Sequence, residues 1–172
     1  MTQERVRLRD MIFSANELVE RLEGRFIAAH EKVALKFLEN IISNSDAVLL
    51  LINNDFDREA AAVNRIAIEH LINLAALIKK PEHLDTLLLQ GKNDIAKTLR
   101  MVTDEDQQSG AEEAPDVMLL GSRYDSAYRE LSATYAHSTI ASISTHPDGA
   151  QTLENMTKLI TLGIGFLENS QA

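Results

Sequence analysis

The chain reads as an all-α protein, a bundle of five or six helices around a central apolar helix at about residues 57–80, and three observations carry that reading. Apolar residues recur at spacings of three and four from Thr2 to about Asn53, which is helical periodicity. The stretch from Arg58 to Lys80 is apolar almost all the way round, as a helix enclosed by other helices should be. No alternating pattern of the kind that marks a strand occurs anywhere in the chain.

Val6, Met11, Leu18, Leu22 and Phe26 carry the first part of the periodicity, and Val33, Phe37, Ile41, Val48 and Leu51 the second. Gly24 between them predicts a break or bend, since glycine inside a helix costs about 1 kcal/mol against alanine. Asn53-Asn54-Asp55 predicts a turn, after which Asp55 or Asp57 is placed to cap the central helix through its side-chain oxygen. Lys79 and Lys80 suit the carboxyl end of that helix, and Pro81 closes it. Proline is well placed at a helix start, so Pro81 to about Met101 predicts a further helix, with Gly91 as a point of interruption. Residues 104–116 carry six acids and no base and predict a mobile, solvated connector. Helices are expected again over Ser122 to about Thr145 and Gln151 to about Glu168, separated by a turn at His146-Pro147-Asp148-Gly149.

The whole length, 1–172, is read as a single helical domain, and 45% hydrophobic content is enough to build its core. There is no cysteine, which excludes disulfides, thiolate metal sites and cysteine nucleophiles. The amino terminus lacks the apolar core of a secretory signal. The longest uninterrupted apolar run, Ala47 to Ile52, falls far short of the roughly 20 residues that cross a bilayer. A cytoplasmic protein with no membrane partner is expected. A net charge of −9 disfavours nucleic acid, although Arg5, Arg7 and Arg9 form a local basic patch.

Candidate chemistry concentrates in the central helix. At about 100° per residue Arg65 and Glu69 lie on one stripe, with Asn73 a little further round and Ala62, Ile66, Ile72 and Ala76 beside them. A charge enclosed among helices needs a partner, and an intrahelical pair of opposite sign is the nearest one. A buried Arg65–Glu69 centre is therefore expected. Further along, Tyr128, Ser132, Tyr135 and Thr139 form a stripe of hydroxyls that can satisfy such a pair, while His137 faces roughly the opposite side. Ser132 and His137 share no face on a regular helix, so no serine-histidine-acid arrangement is legible. His30, His70 and His137 fall on three expected helices, but neither Glu-x-x-His pairs nor His-Glu-x-x-His is present, and no metal or other cofactor is expected.

Two resemblances attach to these residues. Arg65-Ile-Ala-Ile-Glu-His70 resembles the signature of HEPN-type ribonucleases, helical proteins of bacterial toxin and defence systems in which an arginine and a histidine cleave RNA without a metal. That resemblance implies Arg65 and His70 as catalytic residues. Residues five apart on an unbroken helix nevertheless point about 140° from each other, and only a kink or a dimer axis would bring them to one phosphate. The alternative is His70 as a partly buried polar residue beside Ile66 and Leu77. The wider pattern is Arg65-x-x-x-Glu69-His-Leu-Ile-Asn-Leu, then Ile78-Lys-Lys-Pro-Glu82, then Tyr128-x-x-Leu-Ser132-x-x-x-x-His137-Ser138. It resembles an uncharacterised bacterial family of helical proteins of unknown function, over roughly Arg58 to Thr145. Ser138 stands where glycine is usual in that family. The resemblance implies that Arg65, Glu69, Tyr128, Ser132 and His137 belong to one constellation, and it brings no activity with it.

The sequence thus points to a non-catalytic helical interaction or regulatory protein, a homo-oligomer built through its amino-terminal helices and able to take a protein partner. Two alternatives from other classes stand beside it: the metal-independent ribonuclease, and small-ligand binding at the Arg65–Glu69–Tyr128 centre.

Overall fold

The computed structural model describes residues 2–26, 28–90, 95, 97, 98, 101 and 146–170. Among these residues five helices follow one another with no strand: α1 (Thr2–Glu23), α2 (Ala29–Asn53), α3 (Asp57–Lys79), α4 (His83–Gln90) and α5 (Gly149–Asn169). The all-α bundle with α3 as its central helix is the architecture that the apolar periodicity predicts. Gly91, the acidic segment 104–116 and the helix expected over 122–145 lie outside the described residues.

The periodic amino-terminal stretch divides where Gly24 stands. The N–H groups of Arg25 and Phe26 both donate to the Leu22 carbonyl, which closes α1, and Phe26 turns its ring into the core. At the start of α2 the Glu31 carboxylate reaches back to accept from the Ala28 N–H at 3.2 Å, satisfying one of the donors that a helix start leaves open.

The connection from α2 to α3 corrects the expected acidic cap. Asp55 adopts a left-handed conformation, φ 62°, and its N–H donates to the Ile52 carbonyl, while the Phe56 N–H donates to the Leu51 carbonyl at 2.9 Å. This pair of bonds is a Schellman closure of α2, with aspartate in the position that glycine usually takes. Phe56, not an aspartate, consequently stands at the N-cap of α3, and no side chain caps that end. Asp57 already lies inside the first turn with Glu59, where both carboxylates favour the helix dipole. At the other end Lys80 closes α3 through its N–H to the Ala76 carbonyl, and a turn through Pro81 and Glu82 leads into α4. Asp148, in the expected turn before α5, caps that helix by accepting from the Ala150 N–H at 2.9 Å.

α2 and α3 form an antiparallel hairpin, and α5 packs on both and on α1. Asn64 of α3 meets Met156 of α5, and further along Leu71 and Leu74 of α3 approach Gly163 of α5. α3 and α5 therefore run parallel. Met11 with Thr161 and Arg21 with Glu168 give α1 and α5 the same sense. α1 packs on α2 and α5, so it lies across that pair from α3.

From Leu71 to Leu77 every residue of α3 is buried. Each fully enclosed leucine or isoleucine there contributes about 1.5–3 kcal/mol, more than any pair of surface charges. α3 is the described helix long and apolar enough to cross a membrane, and most of that apolar window is enclosed within the bundle, as the core helix of a bundle is.

The tightest approach falls at Gly163, where a Cβ would stand 3.0 Å from Leu38 Cδ1, whereas a Cβ on Gly165 would meet nothing. Gly163→Leu should overpack the α2–α3–α5 junction and lower stability by about 1–3 kcal/mol. Gly165→Ala should raise it by about 0.5–1 kcal/mol by removing backbone freedom from the unfolded chain. Urea unfolding of the two variants checks this, and similar effects at the two glycines would contradict the packing described.

Candidate functional site

The polar face of α3 is built on its amino-terminal half. There the helix turns Asn64, Ala67, Ile68 and Leu71 toward α2 and α5, and the stripe of Arg65 and Glu69 lies about 100–140° round from that face. The two side chains form an ion pair, Arg65 Nη2 to Glu69 Oε1 at 2.7 Å, across one turn. They keep 22% and 27% of their surface in contact with solvent, and Ile66 beside them is 41% exposed. The pair the sequence predicts is present, but it sits at the rim of the bundle and not in its interior. All-round burial begins only at Leu71, one turn too late to enclose it.

His70 leaves this stripe. Its ring packs on Phe37 of α2, with centroids 5.6 Å apart and planes tilted by 38°. Burial holds the imidazole below its ordinary ionisation range, and the nearby Glu69 carboxylate only partly opposes that effect. α3 is continuous from Asp57 to Lys79, so Arg65 and His70 diverge by about 140°. Arg65 is held by Glu69 while His70 is held by an aromatic ring. Of the other expected site residues, Tyr128, Ser132, Tyr135 and His137 lie outside the described residues. His30 lies in the first turn of α2, and among the described residues no group of three or more histidine or carboxylate side chains is placed to hold a metal ion.

Among the described residues, two buried polar side chains that the sequence reading did not single out, Asn64 and His83, each hold an atom without a hydrogen-bond partner. Asn64 is fully buried, and its amide nitrogen donates to the Met156 sulfur at 3.0 Å while Oδ1 has no partner. The signal was legible: Asn64 falls on the same stripe as Ala60, Ala67, Ile68 and Leu71, where a polar residue must enter the core. His83, at the start of α4, is likewise buried with Nε2 unpartnered, and burial lowers its pKa against the opposing charge of Glu82. A separate open cleft of about 260 Å³ lies where α3 and α5 begin, lined by Asp55, Asp57, Arg58, Glu59, His146 and Pro147.

With this geometry in hand, comparison with known proteins gives one decisive result. The model of a family of unknown function (DUF5677) matches residues 31–117, half of the chain. The chain belongs to that family. The DUF5677 match takes in nearly all of α2 together with α3 and α4, and hence Arg65, Glu69, His70 and the Ile78–Glu82 segment. It ends before Tyr128, so the second half of the expected family pattern lies beyond it, as do α1 and α5. No curated protein and no solved structure matches the chain.

Because it is partly solvated, the ion pair should contribute modestly. A double-mutant cycle over Arg65→Met and Glu69→Leu should give a coupling of about 0.3–1 kcal/mol that falls as salt is added. A coupling above about 3 kcal/mol would mean that the pair is enclosed.

The imidazoles of half-buried His70 and buried His83 make a second expectation, on pH. Both ionise below the ordinary value of 6.5 when folded, so just below that pH the unfolded chain binds more protons than the folded one. The stability they confer is complete above about pH 6.5 and is lost as the pH falls toward their folded values. Urea midpoints should drop between about pH 7.5 and pH 5.5, and His70→Phe, which keeps an aromatic ring against Phe37, should reduce the drop. An unchanged drop in the variant would contradict the assignment to His70.

Proposed function

We propose that this DUF5677 protein is a non-catalytic helical interaction protein of the cytoplasm that works as a homo-oligomer. The observation that supports the reading best is the outer face of α1, where Val6 and Phe13 stand 50% and 65% exposed two turns apart. Large side chains repeated on one stripe of a helix that packs on α2 and α5 through its opposite stripe are what a subunit contact uses.

The residues that would carry catalysis are engaged in the fold. In a metal-independent ribonuclease, Arg65 and His70 would have to meet one phosphate. Here the guanidinium is paired with Glu69, and the imidazole is turned away and packed on Phe37. The net charge of −9 further opposes association with RNA. The alternative of a small ligand at Arg65 and Glu69 has to contend with the same ion pair, because an incoming anion or cation would compete with a partner already in place.

Light scattering at micromolar concentration should return at least twice the monomer mass, and single-stranded RNA should survive incubation with the protein. A monomeric mass would contradict the oligomeric reading. Cleavage without metal that is lost in a folded His70→Ala variant would replace the reading with the ribonuclease.

A further inference from the structure

We infer that the outer face of α1 pairs antiparallel with the same face of a second copy of this chain, with Phe13 on the twofold axis; the inference rests on the homo-oligomeric reading above and names its contact. The buried stripe of α1 is Leu8, Ile12, Ala15, Leu18 and Leu22. On the opposite side Val6, Arg9, Phe13, Glu17 and Glu20 are all exposed. Arg5, Arg7 and Arg9 fall before Phe13, with Glu4 and Asp10 beside them, and Glu17, Glu20 and Glu23 fall after it, with Arg21 among them, so the helix is only mildly more basic at its start and more acidic at its end.

Arg9 and Glu17 are equidistant from Phe13, four residues to either side, which is about 6 Å along a helix axis. An antiparallel partner centred on Phe13 therefore sets each copy's Arg9 against the other's Glu17, twice by symmetry, with Phe13 packed on its own counterpart. Val6 then falls opposite the aliphatic stem of Glu20. A parallel pairing would instead oppose arginine to arginine and glutamate to glutamate. This self-complementarity is what a closed twofold contact requires, and it explains how two chains of net charge −9 come together. Neither Arg9 nor Glu17 forms an ion pair within the described residues, whereas Arg21, further round the helix, is taken by Glu168 of α5.

Charge reversal tests the pairing, and both positions are exposed, so the fold tolerates it. Arg9→Glu places glutamate opposite glutamate, Glu17→Arg places arginine opposite arginine, and each single variant should dissociate at least about tenfold more readily than the parent. Combined in one chain, the two changes restore both pairs and should restore dimerisation. An equimolar mixture of the two single variants should form mainly the mixed dimer in native mass spectrometry, because only that combination sets opposite charges together at both contacts. If the parent is dimeric but its dissociation is indifferent to these changes, the contact lies elsewhere and the oligomeric reading alone survives. A monomeric parent overturns both.

Discussion

The bundle depends on one close approach. α5 enters the groove between α2 and α3 at Gly163, where the missing side chain lets its backbone settle against Leu38, Leu71 and Leu74. With that contact made, α3 is enclosed from Leu71 to Leu77, and Leu153, Met156, Leu159 and Ile160 of α5 complete a continuous core with α2. Dispersion and apolar burial at such a junction act over many atoms at once, and they outweigh the capping and ion-pair terms at its edges. The direction of α5 follows as well, because Asn64 and Met156 meet one end of the contact while Leu74 and Gly163 meet the other.

The same constraint fixes where polar chemistry can lie. Before the enclosed segment α3 is less fully covered, and Arg65 and Glu69 pair there with about a quarter of their side-chain surface still wetted. Asn64, on the closed side, has only a thioether to donate to and carries an amide oxygen without a partner. An unsatisfied group of that kind costs about 1–3 kcal/mol, so the core is less than fully optimised where Asn64 meets α5. His70 lies between the two environments, far enough in to be held toward its neutral form by Phe37 and its surroundings, and far enough round to be separated from Arg65.

Most of the helical layout was legible because it depends on local signals. The periodicity of Leu8 to Leu22 and Leu35 to Ile52, the break at Gly24, the turn at Asn54 and the turn at His146-Pro147-Asp148-Gly149 each act within a few residues. What the chain did not disclose was set by packing between distant segments. The Arg65–Glu69 spacing announced an ion pair, but whether that stripe met water or protein depended on which side of α3 received α2 and α5. Asp55 carries a side chain fit for a cap, yet the backbone needed to close α2 placed it in a left-handed conformation before α3 began. Asn64 is a polar residue on the apolar stripe beside a charged neighbour, and only its meeting with Met156 of α5 makes it a buried amide. The DUF5677 match spans α2 to α4 and so covers the hairpin and the ion pair, while α1, with its exposed Phe13, lies outside it.

α3 is the enclosed spine of the molecule, buried at every residue from Leu71 to Leu77, and its core should open only with the whole fold. Native-state amide hydrogen exchange read by mass spectrometry tests this most directly. Peptides covering residues 67–77 of α3 should exchange only through global unfolding, with protection equal to the stability measured by urea, and peptides of α1 should exchange through smaller openings. Exchange of the α3 core well below the global limit, or protection of α1 above that of α3, would contradict the account.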